Sequence, residues 1–164
     1  MRTPDRWAFY DTWAYVALAD RGERGAHAAA SRANRLLLER DYRPVTTNYV
    51  IDEALTLLRR RLNHQAAIQF LDDLELGVEA GLIQLEWITP EREREARRLF
   101  RRYQDKPTLS MTDCTSFVMM KQLAIELAFT GDKHFERTDP KNFPFKSLIQ
   151  ERKGKYVVQV RLVS

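Results

Sequence analysis

The chain has 164 residues, 44% of them hydrophobic and 30% charged, which fits one folded domain with a proper core and leaves too little for two. Its single cysteine, Cys114, excludes an internal disulfide; no apolar run approaches the ~20 residues of a membrane helix, and the start MRTPDRW lacks a secretion signal, so we expect a cytoplasmic protein. The net charge of +4 resides in residues 146–164, so any nucleic-acid contact must use local basic patches or this tail.

The first half of the chain alternates between short apolar runs and amphipathic stretches. A strand is predicted at 7–10, from the apolar run WAFY, and a very short one at 44–46. Helices are predicted at 12–19 and 27–40, separated by the turn RGERG at 21–25, and a further helix is capped by Thr47. Each predicted strand is therefore followed by helix.

The second half continues the alternation. Residues 64–79 have a helical apolar face, and Ile83, Leu85 and Trp87 alternate with polar residues in a strand predicted at 82–88. Further elements are a helix at 90–103, a loop at 105–109, a helix at 112–123, a strand at 126–130 and a hairpin formed by 145–149 and 156–163.

Strands that alternate with helices predict an α/β fold, a three-layer sandwich with a mainly parallel central sheet. We assign residues 1–145 to this domain and residues 146–164 to a basic C-terminal β-hairpin extension of it. Binding sites in such sheets form beyond the carboxyl ends of the strands. The acidic residues at those ends are therefore the first candidates for function.

Four carboxylates lie at or near such positions. Asp11 follows the strand WAFY, and Asp132 follows the strand in ELAFTG. Asp113 begins the helix that precedes that strand, and Glu53 lies about two turns into the helix after the short strand at 44–46. All four can therefore converge on one edge of the sheet.

Each acid also has a simple structural explanation. Asp11 can cap a helix, Glu53 can be a solvated helix position, and Asp132 can be a turn residue after Gly131. Ser110 followed by Asp113 has the spacing of a helix N-terminal capping box. Taken singly, these explanations are the better ones; taken together, the four acids favour a shared site.

Four carboxylates in contact repel one another strongly unless they bind protons or cations. Oxygen ligands suit Mg²⁺ or Mn²⁺, and a site of this kind suits phosphodiester hydrolysis by a metal-activated water. Cys114 lies next to Asp113 without a clear base partner, which favours a small buried filler over a nucleophile.

The acids and their surroundings resemble the PIN-domain family, in particular its VapC-like toxin branch. The similarity extends over residues 6–145 and is carried by FYDTW, TTNYVIDEAL, SMTDCTSF and TGDKHF. It implies a compact α/β endoribonuclease that depends on Mg²⁺ or Mn²⁺, acts on RNA, commonly forms a homodimer and is held inactive by a small antitoxin protein. The metal ligands that it implies are Asp11, Glu53, Asp113 and Asp132, assisted by Thr12, Ser110 or Thr112.

Several features are open to two interpretations. Trp13 stands where the family often has a small residue, and it either packs in the core or stacks on a base. His134 is either a proton donor or a turn histidine. The basic residues are either solvated and ion-paired or contact RNA phosphates; the candidates for RNA contact are Arg97, Arg98, Arg101, Lys153 and Lys155.

The sequence thus predicts a metal-dependent endoribonuclease that leaves a 5′-phosphate and a 3′-hydroxyl, because no residue stands out as the base for the RNA 2′-hydroxyl. It leaves open two alternatives. One is a PIN-like module that binds RNA or a partner with little catalysis. The other is a flap-type DNA nuclease, which the short chain disfavours because no extra DNA-binding element is evident.

Overall fold

A four-stranded parallel sheet forms the centre of the molecule in the computed structural model, which describes residues 6–131. The strands lie in the order β3-β2-β1-β4. Their bounds are Arg6–Tyr10 for β1, Tyr42–Thr47 for β2, Gln84–Glu86 for β3 and Leu127–Phe129 for β4. The predicted α/β fold with a parallel sheet is confirmed, and the hairpin predicted within 145–164 lies outside the described residues.

Helices flank the sheet. Their bounds are Thr12–Ala19 for α1, Arg24–Glu39 for α2, Asn48–Arg61 for α3, His64–Glu79 for α4, Pro90–Arg102 for α5 and Met111–Gln122 for α6. Helix α1 packs against α2 and α3, α3 packs against α4, and α5 packs against α6. Within residues 6–131, no helix combines the length and apolar character that a membrane crossing requires.

Side-chain caps fix the beginnings of several helices. Thr47 accepts a hydrogen bond from the backbone N–H of Val50 at the start of α3, as the sequence predicted, and Asn63 accepts one from Ala66 at the start of α4. Pro90 opens α5 after the cap Thr89, a position where the missing N–H of proline costs nothing.

Three predicted elements differ most from the structure in their boundaries. Helix α2 begins at residue 24 rather than 27, so the turn before it is shorter than predicted. Strand β2 begins at 42 rather than 44, because β1 pairs with it from the first residue onward. Strand β3 has three residues instead of the seven in 82–88, because only those three pair with β2. The apolar alternation predicted that β3 exists, but it did not predict how many of its residues pair with β2.

The core joins the strands to the flanking helices, and α6 is buried along most of its length. Phe9 in β1, Phe117 in α6 and Phe129 in β4 are fully buried. Every residue of α6 from Asp113 to Met120 is buried. A carboxylate therefore opens a helix that is otherwise enclosed by the protein, where an uncompensated charge is costly.

The strand register brings two chain segments together at the carboxyl edge of the sheet. Tyr10 of β1 pairs with Phe129 of β4, so the residues that follow them, Asp11 and Thr130, become neighbours. The backbone N–H of Asp11 donates to the carbonyl oxygen of Phe129 over 3.2 Å. Asp11 and Thr130 therefore lie at the carboxyl edge of the sheet, where binding sites form in parallel α/β folds.

Candidate active site

A cavity of about 340 Å³ opens at this carboxyl edge of the sheet. It is lined by residues of α1, α3 and α6, by the residue before α1, and by the loop before α6. The lining residues are Asp11, Thr12, Trp13, Val16, Glu53, Leu57, Arg61, Thr108, Ser110 and Asp113. Three of the four acids that the sequence singled out thus face one space, although up to a hundred positions separate them along the chain.

Asp11 occupies the N-cap position of α1, but its side chain makes no capping hydrogen bond to that helix. Its carboxylate is 4% exposed, and Oδ2 accepts a hydrogen bond of 2.9 Å from the hydroxyl of Thr130. The simple explanation of Asp11 as a helix cap is therefore insufficient. The carboxylate is oriented by the neighbouring strand instead.

Asp113 both caps α6 and faces the cavity. Its Oδ2 accepts a hydrogen bond of 2.9 Å from the backbone N–H of Ser110, while its own N–H donates to Ser110 Oγ over 3.0 Å. This is the predicted capping box. The side chain is 6% exposed, and it lines the space that Asp11 lines. The structural and the functional interpretation of Asp113 are thus compatible.

Glu53 reaches the cavity from the second turn of α3 and is half-buried. Its Oε2 accepts a hydrogen bond of 2.7 Å from the hydroxyl of Thr12. Because Thr12 begins α1, this contact connects the two helices on either side of the cavity. Glu53 is therefore oriented, and the interpretation of a solvated helix position does not describe it.

The donors suit a hard divalent cation, because all three acidic side chains offer carboxylate oxygens and two of the three residues are buried. Within residues 6–131, however, no three His, Cys, Asp or Glu side chains come close enough to hold one ion between them. Mg²⁺ retains several waters and is often held by only one or two carboxylates. The acids therefore fit such an ion in part directly and in part through water. Asp132 and His134 lie outside the described residues.

The predicted supporting residues differ in their placement. Thr12 and Ser110 line the cavity and hydrogen bond to Glu53 and Asp113, and their role as helpers stays a prediction. Thr112 is not among the lining residues; its carbonyl oxygen accepts the hydroxyls of Thr115 and Ser116 inside α6. Its assisting role remains a prediction without a contact to support it.

Sequence reasoning missed Thr130, Thr108 and Arg61 as residues near or in the cavity. A signal for Thr130 existed. It is the residue before Gly131-Asp132, so it stands beside Asp11 once the two strands are aligned. All three consecutive arginines at the end of α3 suit the negative end of the helix dipole, and that explanation does not indicate which of them faces the cavity.

Trp13 packs and lines the cavity at once. Its ring meets Phe129 edge to face, with 6.3 Å between centroids. A Cβ at Gly131 would lie 2.4 Å from Cε2 of the same indole, so only glycine fits there while the indole keeps this position. The packing interpretation of Trp13 is supported, and part of the side chain still borders the cavity.

Cys114 has no exposed surface. Burial, followed by the charge of neighbouring Asp113, raises the pKa of its thiol to about 12. The thiolate that a nucleophile needs is therefore scarce at neutral pH. Cys114 is a buried filler, as the sequence indicated.

Arg97 and Arg98 of α5 are exposed and pair with acids of their own helix. Arg97 pairs with Glu93 at 2.6 Å, and Arg98 pairs with Glu95 at 2.7 Å. Arg101 lines a different cavity of about 350 Å³ together with Phe100 and Tyr103. Their contact with RNA remains a prediction, and Lys153 and Lys155 lie outside the described residues.

The class of protein is defined by a parallel sheet flanked by helices, with buried aspartates at the carboxyl edge of the sheet. The PIN domain family model matches residues 8–141, and the chain belongs to that family. The 23S rRNA-specific endonuclease VapC20 of Mycobacterium tuberculosis is 31% identical over 127 residues, which span 77% of this chain and 90% of VapC20. The resemblance found in the sequence is thereby confirmed.

Solved structures match as well. The crystal structure of Mycobacterium tuberculosis VapC20, described as a sarcin-ricin loop cleaving toxin, matches with a TM-score of 0.66 and 27% identity. The match covers 79% of this chain and 92% of VapC20. VapBC2 from Rickettsia felis, solved with a DNA fragment of its promoter, matches with a TM-score of 0.56 at 11% identity, covering 80% and 92% of the two chains. That second likeness concerns the fold alone.

Proposed function

We propose that this protein is a VapC-like endoribonuclease that hydrolyses RNA phosphodiester bonds with the help of Mg²⁺ or Mn²⁺. The observation that carries the proposal is the convergence of Asp11, Glu53 and Asp113 on one cavity at the carboxyl edge of a PIN-type sheet. Asp132, which follows β4 directly after Gly131, completes the proposed ligand set.

The residues that would hold the ion are these four acids, directly or through water. When bound, the ion supplies Lewis acidity toward a phosphate oxygen and lowers the pKa of a coordinated water. The chain itself supplies orientation. Thr130 fixes Oδ2 of Asp11, Thr12 fixes Oε2 of Glu53, and the Ser110 backbone fixes Oδ2 of Asp113. Such outer contacts determine which oxygens point into a site.

The ends that cleavage should leave on the RNA depend on whether the cavity supplies a base for the 2′-hydroxyl. None of the described lining residues is a histidine or a lysine, and each described acid belongs to the proposed ligand set, so these residues offer no spare base for the RNA 2′-hydroxyl. We therefore expect hydrolysis that leaves a 5′-phosphate and a 3′-hydroxyl. A 2′,3′-cyclic phosphate in the products would contradict this route.

The proposed substrate and partner come from the relatives. Because VapC20 carries the description of a 23S rRNA endonuclease and toxin, ribosomal RNA is the first substrate class to test, and a small antitoxin protein is the proposed partner. A homodimer in the cytoplasm is the proposed state, which light scattering and cell fractionation would test.

The deciding experiment uses an RNA and a DNA of the same sequence, each with Mn²⁺ and with EDTA. We expect the wild type to cleave the RNA but not the DNA, and to do so only when Mn²⁺ is present. The D113N variant should cleave neither. Cleavage that survives both EDTA and D113N would indicate a contaminant. Metal-dependent cleavage of the DNA would favour a DNA nuclease, and RNA binding without cleavage would favour the alternative of a binding module.

A further inference from the structure

Helix α3 carries a row of residues along the cavity. Glu53, Leu57 and Arg61 are spaced four apart, so their side chains lie above one another on one face of the helix. All three line the cavity. At 1.5 Å per residue, the backbone of Arg61 lies about 12 Å along the helix from that of Glu53. The cavity therefore extends well beyond the acids.

Chemistry changes along this row. The acidic end is formed by Asp11, Asp113 and Glu53. Leu57 of α3 and Val16 of α1 pack in one apolar cluster and line the section beyond the acids, and Trp13 of α1 also borders the cavity. Arg61 is the single cation among the described lining residues. The cavity thus passes from an acidic end through an apolar section to a positive end.

The helix dipole does not explain why Arg61 faces the cavity. Arg59, Arg60 and Arg61 all lie in the last turn of α3, where positive charge is favourable. Only Arg61 of these three lines the cavity. Within residues 6–131, no ion pair joins Arg61 to a carboxylate. Arg61 is an exposed residue, and a guanidinium offers a planar fork of donors suited to a phosphate.

The geometry points to a nucleotide subsite along α3, in which Arg61 binds the phosphate of a nucleotide that flanks the cleaved linkage. The sugar and base of that nucleotide lie against Leu57, Val16 and Trp13, because an apolar and aromatic surface suits a nucleobase. The subsite rests on the proposed ribonuclease function. It assigns to Arg61 a binding role at a linkage other than the one that is hydrolysed.

The chain offers a matched control. R61Q and R60Q remove the same charge from the same helix end, and they weaken the dipole interaction equally. We expect R61Q to raise KM for a short RNA by about 10-fold with kcat nearly unchanged, because a phosphate contact made before and during reaction is lost. R60Q should leave both within about twofold, and R61K should retain part of the affinity because a lysine keeps the charge but loses the fork.

Replacing single RNA phosphates with uncharged linkages identifies the phosphate that Arg61 binds. A series of RNAs carries one uncharged methylphosphonate each, at successive linkages on both sides of the cleaved one. At one flanking linkage, the substitution should weaken binding by wild type but have no further effect on R61Q. R61Q that behaves like R60Q, or an R61Q effect that persists at full size for every flanking substitution, would overturn the subsite.

Binding separates this inference from the proposed activity. In the D113N background no cleavage is needed, and fluorescence anisotropy with the same RNAs reads affinity directly. If wild type fails to cleave RNA, the proposed function fails by itself, whatever the anisotropy shows. If cleavage occurs but D113N and D113N/R61Q bind RNA equally, the subsite alone is wrong.

Discussion

Helices α1 and α6 both begin at the cavity with a buried aspartate, yet the two carboxylates are held in different ways. Asp113 is fixed by its own helix, through a capping box with Ser110. Asp11 makes no capping contact and is fixed by Thr130, which is 119 residues away in the sequence. One orientation is therefore local and the other depends on the assembled sheet.

The difference has a physical consequence for each site residue. A local cap forms as soon as the helix forms, so it contributes to the stability of α6 whether or not a ligand is bound. The bond between Asp11 and Thr130 requires β1 and β4 to be paired, so it contributes mainly to the geometry of the finished site. Four sets of substitutions, taken from the largest expected effect on activity to the smallest, test this division.

Asp11→Asn and Asp113→Asn should each reduce cleavage by more than about 100-fold, above the loss typical of changes in an outer contact of a metal site. Only Asp113→Asn should also lower the free energy of unfolding, by about 1 kcal/mol, because it weakens the capping box. Initial rates and urea unfolding measure the two effects. Equal stability losses in both variants would erase the proposed difference between the helices.

Thr130→Val should reduce cleavage and apparent metal affinity by about 10- to 100-fold, since it removes the donor that orients Asp11 Oδ2. Thr130→Ser retains the hydroxyl and serves as the control. Metal titrations of the rate, run on wild type and on both variants, give the comparison. A serine variant as impaired as the valine variant would mean that packing of the methyl group matters more than the hydrogen bond.

Ser110→Ala should cost about 1 kcal/mol of stability and reduce activity only a few-fold, because the backbone N–H of Ser110 still donates to Asp113. Asn63→Ala removes the cap of α4, which lies outside the cavity lining, and should cost a similar stability with no change in rate. Thermal unfolding and initial rates of this pair separate capping from catalysis. A rate loss shared equally by both variants would show that reduced stability alone lowers activity.

Cys114→Ala should leave the rate within about twofold, because the buried thiol, with a pKa near 12, is no nucleophile. Its effect should appear in alkaline unfolding. Folding raises the pKa of this thiol from its ordinary value of 9.0 to about 12, so the stability that the thiol contributes is fully present below pH 9 and falls as the pH rises above it. The wild type should lose about 1 kcal/mol more than the alanine variant between pH 8 and 10.

The sequence was informative where local rules act. Alternating strands and helices predicted the parallel sheet, and the spacing of Ser110 and Asp113 predicted the capping box, because both patterns depend on neighbours a few residues apart. Asp11 and Asp113 are candidates from sequence because they follow or begin an element at the binding edge, and Glu53 is one because it lies in the helix after β2.

What the sequence did not reveal depends on register and on helix rotation. Thr130 became visible as a partner of Asp11 only once Tyr10 and Phe129 were paired. Which of the three arginines of α3 faces the cavity depends on where the helix begins and how it packs on α1. The length of β3 depends on how many of its residues pair with β2, and only three do.

Trp13 and Gly131 constrain each other's evolution. With the indole against its Cα, position 131 accepts no side chain, and that position connects β4 to the segment containing Asp132. A larger side chain at position 131 is expected only after Trp13 has been replaced by a smaller residue. If residue 131 became larger first, the indole of Trp13 would have to move. The two positions should therefore covary among relatives, and a double variant such as W13A/G131A should be better tolerated than G131A alone.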